Sequence, residues 1–385
     1  MRQTRDGNGR SIDRRTLLQT LAAGAMSPVV AACGVSGGTT ARPAAASRHR
    51  YFAPIHVSAD RVTRTVVGLR PFRPAGFVLH ADSVDGRVIV HDYGHGGGGI
   101  TLSWGCAHLA TEEALATGAR RFAVIGCGVI GLTTAILLQR QGAEVTIYAK
   151  ALPPATTSNV AGAQWSPFSV YDDAAVSPAF RDRFRNAARL AYREFQNYVG
   201  PRYGVRWIDN LYLSDTGDAL PPMVTDLPDV FPGARAIAPH DHPFEAASAA
   251  SVMTMFVEPN IFLPALIYDF RVMGGSIVVR EFHDLPDLLT LTEPVIMNCT
   301  GLGSRDLFGD VDLVPVKGQM AVLQPQYDVD YLLLTRGLYM FPRSDGILLG
   351  GTFERGEWSL EPDRAAERRI IAGHTRLFAH LLRTG

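Results

Sequence analysis

The sequence predicts an α/β protein: a Rossmann-like domain together with a second domain built on a mostly antiparallel sheet. Three observations predict it. Residues 121–148 read as strand, glycine turn, apolar helix and second strand; residues 205–256 alternate short strands with Pro-rich loops; residues 314–353 carry further strands separated by turns. At 385 residues the chain is long enough for about two domains. Its 46% hydrophobic and 19% charged residues are globular values, and a formal net charge of +0 leaves no footprint for nucleic acid. Only Lys150 and Lys317 are lysines, which reads as a bias of composition. Cys33, Cys106, Cys127 and Cys299 fit neither a zinc pattern nor a disulfide framework.

The N-terminus reads as a targeting segment. Residues 1–15 are polar and carry Arg2, Arg5, Arg10, Arg14 and Arg15. The apolar stretch from Leu17 to Ala32 is broken by Pro28 and is too short for a comfortable membrane span. That order is the order of a signal peptide. Arg14-Arg15-Thr16-Leu17-Leu18 resembles a twin-arginine export signal. Val30-Ala31-Ala32-Cys33 resembles a lipobox, in which Cys33 would be acylated and anchor the protein at the outer face of the cytoplasmic membrane. The alternative is an amphipathic helix with a chance Arg pair. Residues 34–51 read as a linker to the folded part.

The folded part opens with a strand at Val62–Leu69, ended by Pro71 and Pro74. Arg87–His91 is another strand and runs into Asp92-Tyr93-Gly94-His95-Gly96-Gly97-Gly98-Gly99. Ile100 to Thr117 has helical periodicity and closes on Gly118. Arg121–Ile125 is a compact buried strand. It feeds Gly126-Cys127-Gly128-Val129-Ile130-Gly131, an apolar helix to about Gln141 and a strand at Glu144–Tyr148. A GxGxxG set between strand and helix is the context of a dinucleotide-binding turn, in which a pyrophosphate approaches backbone N–H groups at the helix N-terminus. The acidic residue that ordinarily grips a ribose hydroxyl is missing from the end of the second strand. Ala149-Lys150 stands there and argues against a standard NAD site. An amphipathic helix covers 180–198, and a helix at Asn260–Met273 stops at Gly274-Gly275. Strands follow at Ser276–Arg280, Val295–Asn298, Val314–Leu323, Gly337–Pro342 and Ile347–Phe353, and the last helix is Arg364–Leu382. His91 and His95 flank a glycine loop rather than one helix face, and His240-Asp241-His242 lies in a Pro-rich loop, so no metal site is expected.

Several of these segments together resemble the D-amino acid oxidase and D-aspartate oxidase family. Val67-Gly68-Leu69-Arg70-Pro71-Phe72-Arg73-Pro74 is similar to its substrate-arginine segment, and His91 to Gly105 to its glycine-rich flavin signature. Ala161-Gly162-Ala163-Gln164-Trp165-Ser166-Pro167 resembles the loop beside the flavin. Asn298-Cys299-Thr300-Gly301, Lys317-Gly318-Gln319, Gly337-Leu338-Tyr339 and Leu349 to Trp358 also match. The resemblance runs from about residue 52 to the end, and it implies FAD as cofactor. In the family the Arg-Pro segment and the glycine-rich signature lie at the C-terminus, whereas here they precede the GxGxxG. The resemblance therefore implies a circular permutation, with residues 110–121 as the new connection. It divides the chain into a signal peptide (1–33), a linker (34–51), the family's C-terminal flavin-domain segment (52–118) and the dinucleotide-binding segment (119–170). Substrate-domain parts follow at 171–256 and 313–360, around a flavin-domain part at 257–312, with a C-terminal helix at 361–385.

The same resemblance assigns site residues. Arg70 would grip the substrate α-carboxylate with its planar fork, Tyr339 would add a hydroxyl, and the Gly97 carbonyl would accept from the substrate amine. Cofactor contacts are expected at Gly126, Gly128, Val129, Ile130 and Gly131, at Lys150, Thr156 and Thr157, and at Gly162, Gln164 and Trp165. Further contacts are expected at Phe282, Thr300 and Gly301, and at Gly96, Gly97, Gly99, Ile100 and Thr101. Two positions depart from the pattern. Arg343 stands where many members carry a second substrate tyrosine; it would pair with an acidic substrate side chain, replace the lost carboxylate contact, or be a solvent-facing Arg beside Asp345. Gly98 stands where vertebrate D-amino acid oxidases have an aromatic residue, and a glycine there resembles D-aspartate oxidases. The implied reaction moves the substrate Cα hydrogen as hydride to flavin N5 and then electrons to oxygen, giving a 2-oxo acid, ammonia and peroxide. D-Aspartate or D-glutamate as substrate, a membrane quinone as acceptor, and a non-catalytic ligand-binding lipoprotein are the alternatives; the oligomeric state is left open.

Overall fold

The computed structural model describes residues 51–381 apart from Asp218, Arg336 and His380. The signal peptide, the lipobox and nearly all of the linker lie outside the described residues, as does the expected end of the last helix at Leu382. The described chain begins with β1 (Val62–Phe72), β2 (Val78–Val84) and β3 (Arg87–Tyr93). β1 continues through Pro71 because it is the edge strand of its sheet, where a missing N–H costs no ladder bond. α1 (Gly99–Leu115) follows; it is apolar and buried through most of its length, with His108 and Glu112 exposed near its end. It crosses α4 (below) so closely that a Cβ on Gly105 would strike the carbonyl of Ala187. β4 (Arg121–Ile125), α2 (Val129–Arg140) and β5 (Glu144–Ala149) form the expected nucleotide-binding unit.

Next come the short α3 (Thr157–Val160) and the amphipathic α4 (Pro178–Phe195). Ser177 caps α4 by accepting the Phe180 N–H at 3.2 Å, and Pro178 occupies its first turn. β6 (Val205–Ser214), α5 (Pro222–Asp226), β7 (Arg235–Ile237) and β8 (Ser248–Val257) lead to α6 (Pro259–Val272) and β9 (Ser276–Val279). Then follow α7 (Leu285–Leu288), β10 (Val295–Asn298) and α8 (Ser304–Phe308). The chain closes with β11 (Val314–Leu323), β12 (Tyr331–Thr335), β13 (Leu338–Arg343), β14 (Gly346–Gly350), β15 (Glu354–Arg355) and α9 (Arg364–Phe378).

Two sheets result, in one compact unit. The smaller has the order β2-β3-β10-β4-β5-β9 and is parallel except for its edge strand β2. The larger has the order β1-β11-β14-β13-β12-β6-β8-β7, with β15 also on β11, and is antiparallel except where β12 meets β6. This is the α/β class read from the sequence. The segment 52–118 is shared between the sheets: β1 pairs with β11 in the larger one, while β3 pairs with β10 in the smaller. Because β3, β10, β4 and β5 are parallel, the chain leaves all four at one edge. The glycine run after β3, Thr300-Gly301 after β10, the GxGxxG after β4 and Lys150 after β5 therefore meet at one crevice, which is where open α/β sheets bind ligands.

Candidate active site

A cavity of about 1750 Å³ runs from this crevice to the face of the larger sheet. Pockets for ordinary small ligands occupy roughly 300–1,000 Å³, so this one has room for a dinucleotide and a substrate together. At its nucleotide end Gly126 adopts φ +112°, and a Cβ there would lie 2.5 Å from the carbonyl oxygen of Cys299. Gly128 caps α2 without a side chain and the first turn of α2 holds no acidic residue, so the helix end favours an anion; its first N–H, of Val129, donates to Ser158 Oγ at 3.0 Å. Gly126, Gly128, Val129 and Ile130 line the cavity, whereas Gly131 does not. A Cβ at Gly131 would run into the Gly126 carbonyl, so this glycine serves helix–turn packing.

Lys150, Thr156 and Thr157 line the same end, as do Phe282, Thr300 and Gly301. Thr300 Oγ1 donates to Asn298 Oδ1 at 2.8 Å, and Asn298 Nδ2 lies 3.0 Å from His91 Nδ1. Sequence reading missed Glu281. Its Oε1 lies 3.4 Å from Lys150 Nζ, and it brings a carboxylate to the cavity near the place where the strand-end acid is absent. No sequence-local signal joins residues 131 positions apart.

Mid-cavity, Gly96, Gly97, Gly99, Ile100 and Thr101 form one wall. The Gly97 N–H donates to Ser169 O at 2.9 Å, and a side chain on Gly96, at φ +55°, would strike that same carbonyl. Thr101 Oγ1 donates to Ser166 O and accepts the Ser166 N–H, both at 3.0 Å, fastening α1 to the loop opposite. Gly162 and Gln164 of that loop line the cavity; a Cβ on Gly162 would come within 2.5 Å of the Phe341 ring, and Gln164 Nε2 donates to Tyr212 OH at 3.0 Å. Trp165 is a correction. It does not line the cavity: its side chain is fully buried on the other side of the loop, its ring 5.4 Å from Tyr192 and 5.9 Å from Phe231. Gly98 also turns away, since Val170 Cγ2 occupies the room that a Cβ at 98 would need.

The substrate end is built by two strands of the larger sheet. β1 lines the cavity from Gly68 to Phe72, Arg70 included, and β13 brings Leu338, Tyr339 and Phe341. Arg70 Nη1 is buried and has no hydrogen-bond partner among the described residues. A buried donor left unpaired costs roughly 1–3 kcal/mol, more when charged, and a ligand carboxylate would relieve it. Tyr339 stacks on Phe341 with ring centroids 5.0 Å apart. Arg343 is the second correction. It is buried, absent from the cavity lining, and held by Asp345 through Nε–Oδ1 at 2.8 Å and Nη2–Oδ2 at 3.0 Å. It reaches no substrate side chain and faces no solvent.

His91 and His95 go separate ways. His91 Nε2 lies 3.4 Å from Asp82 Oδ2, and His95 Nε2 lies 3.2 Å from Asp92 Oδ1. Together with His80 and with Cys106 respectively, these residues bring three ligating atoms within 4.8 Å of one another. Asn298 Oδ1 accepts from Thr300 Oγ1, which turns its Nδ2 to donate to His91 Nδ1; His91 Nε2 then carries a hydrogen aimed at Asp82. Burial pushes the Cys106 thiol well up, so it is a poor metal ligand. Burial likewise raises the Asp92 carboxyl, opposed by His95, and pushes the Cys127 thiol up to about 12.

The family described as DAO, FAD dependent oxidoreductase, matches residues 121–384. The chain belongs to the DAO family of FAD-dependent oxidoreductases. It is 32% identical over 274 residues to the D-amino-acid oxidase of Streptomyces coelicolor, covering 67% of this chain and 81% of that protein. Against the D-aspartate oxidase of Homo sapiens the identity is 29% over 261 residues, covering 66% and 75%. In fold it is similar to glycine oxidase from Geobacillus kaustophilus, at a TM-score of 0.51 and 18% identity over 67% of this chain and 78% of that one. The cavity of this DAO-family member fits FAD. Gly126 and Gly128 line it beside the N-terminus of α2, whose first turn carries no acidic residue and whose Val129 N–H donates to the Ser158 hydroxyl, so the place for the pyrophosphate meets only neutral donors. The α1 end of the glycine run and the 162–164 loop would hold the flavin between them.

Proposed function

We propose that this FAD-dependent oxidoreductase oxidises D-amino acids to 2-oxo acids and ammonia, with oxygen taking the electrons as hydrogen peroxide. One observation carries the reading: Arg70 keeps a buried guanidinium nitrogen without a partner among the described residues, in the cavity that Tyr339 also lines. Bound FAD supplies the two-electron acceptor for the Cα hydrogen. The chain's own residues bind and orient. Arg70 grips the carboxylate through two N–H groups, the Tyr339 hydroxyl donates to it, and the Gly97 carbonyl accepts from the amine. An amine that arrives neutral needs no protein base. The amine loses the Cα hydrogen with its electron pair and one N–H proton; water adds to the resulting imine and ammonia leaves. Neither Arg343 nor Gly98 enters the cavity, so the two sequence features that pointed to an acidic side chain lend no support to that preference.

The test is a panel of D- and L-amino acids in air with peroxide and 2-oxo acid measured together. Equal amounts of both from D-enantiomers alone are expected. Reduction of a quinone analogue with no peroxide would favour the second reading, a dehydrogenase, which the Cys33 lipobox supports. A protein that cannot be loaded with FAD would leave only a ligand-binding lipoprotein. Export by the twin-arginine route and anchoring through Cys33 are part of the proposal; a Cys33→Ser variant that stays in the membrane fraction would refute the anchor. So is the circular permutation, supported by the pairing of β1 with β11 and of β3 with β10. A gene that moves residues 52–118 behind residue 381 should yield a protein that folds and binds FAD, and failure to do so would count against it.

A further inference from the structure

We infer that Gly318 and Gly350 are positioning residues that seat the two carboxylate-binding side chains, Gly318 under Arg70 and Gly350 under Tyr339. The inference rests on the reading of Arg70 and Tyr339 given above. Gly318 lies in β11, across from Gly68 of β1 and diagonal to Arg70; Gly350 lies in β14, directly across from Tyr339 of β13. A Cβ built on Gly318 would lie 2.5 Å from both Nη atoms of Arg70 and 2.7 Å from its Cζ. A Cβ on Gly350 would overlap the Cζ, Cε2 and hydroxyl of Tyr339, far inside the 3.0 Å that real Cβ atoms keep. Neither glycine has a left-handed backbone, so either position accepts any residue as far as φ is concerned. Space is the only demand for glycine at these positions.

What would be displaced sets these two apart. At Gly126 a side chain would strike the backbone of Cys299 and disturb the fold. At Gly318 and Gly350 it would strike the polar ends of two flexible side chains, the groups that touch the substrate carboxylate. The guanidinium lies flat on the sheet at Gly318, with Phe353 5.8 Å from its Cζ on another side. The phenol lies on Gly350 with Phe341 stacked at 5.0 Å. Each glycine thus removes one wall of atoms and lets a long side chain rest in one orientation before substrate arrives, which lowers the ordering cost of binding.

The test uses the FAD-loaded enzyme, with pyruvate as an unreactive probe carboxylate read by its perturbation of the flavin spectrum, and KM and kcat for the best D-amino acid. Gly318→Ala and Gly350→Ala should each raise the pyruvate dissociation constant and KM at least tenfold, with FAD content unchanged and kcat falling less than KM rises. In an Arg70→Ala background, Gly318→Ala should add less than twofold, because the side chain it displaces is gone; Gly350→Ala should behave likewise in Tyr339→Ala. These double variants also relieve the crowding, so they report even where a single variant folds badly. Full additivity in both backgrounds overturns the proposal, as does unchanged pyruvate affinity in Gly318→Ala when Arg70→Ala weakens it. An Arg70→Ala enzyme that binds pyruvate like wild type overturns the underlying reading, and this proposal with it.

Discussion

The guanidinium of Arg343 is held by both oxygens of Asp345, whereas that of Arg70 keeps a buried N–H without a partner among the described residues. Both are arginines on strands of the larger sheet, and their neighbours separate their roles. Arg343→Ala leaves Asp345 facing Arg64 alone and opens buried space. It should lower the melting midpoint by several degrees, as a loss of about 2 kcal/mol does in a protein of this size, and leave KM within twofold. A tenfold rise in KM at unchanged stability would return Arg343 to the substrate. His91 makes a pH prediction. Burial, with His80 adding to it, pushes its ring from 6.5 down to about 4. Between those values the unfolded chain takes up a proton that the folded protein does not, so stability is full above pH 6.5 and falls as pH drops toward 4. The loss amounts to roughly 3 kcal/mol at most. Unfolding free energies measured across that window should slope less in His91→Asn than in wild type; equal slopes would contradict the assignment.

Elements whose signal is local were legible. The β4–glycine turn–α2–β5 unit and α6 follow from apolar runs bounded by glycine and proline. β2 was not legible, because it is an edge strand that exposes His80 and Asp82 and so breaks the apolar pattern. β12 was not, because five residues are too few to show a period. Most residues that the family resemblance named line the cavity, since strand ends bring them there. It failed for Trp165, whose side is chosen by Tyr192 and Phe231, residues remote in sequence. Lys150–Glu281 was hidden for the same reason. The junction of α1 with the 162–166 loop depends on Thr101. Thr101→Val should strand the buried N–H of Ser166 at a cost on the order of 2 kcal/mol and weaken FAD binding severalfold by equilibrium dialysis. Unaltered FAD affinity would show that the clamp does not shape the flavin wall.

Across the whole molecule, the smaller sheet supplies the cofactor end of the cavity and the larger sheet the end that holds Arg70 and Tyr339. β1 contributes Arg70 to the larger sheet, and β3 delivers the glycine run from the smaller. Both come from the part of the chain ahead of residue 121, where the DAO match begins. The proposed reaction would therefore need that segment folded onto the rest, with Arg70 holding a D-amino acid so that its Cα hydrogen faces the flavin. Anaerobic mixing of the FAD-loaded enzyme with each enantiomer of one amino acid tests this most directly. The flavin absorbance should bleach with the D-enantiomer and not with the L-enantiomer. At subsaturating substrate, Arg70→Ala should slow the bleaching roughly 100-fold while FAD stays bound, as loss of a bidentate charged contact requires. Equal bleaching by both enantiomers, or an undiminished rate in Arg70→Ala, would contradict the account.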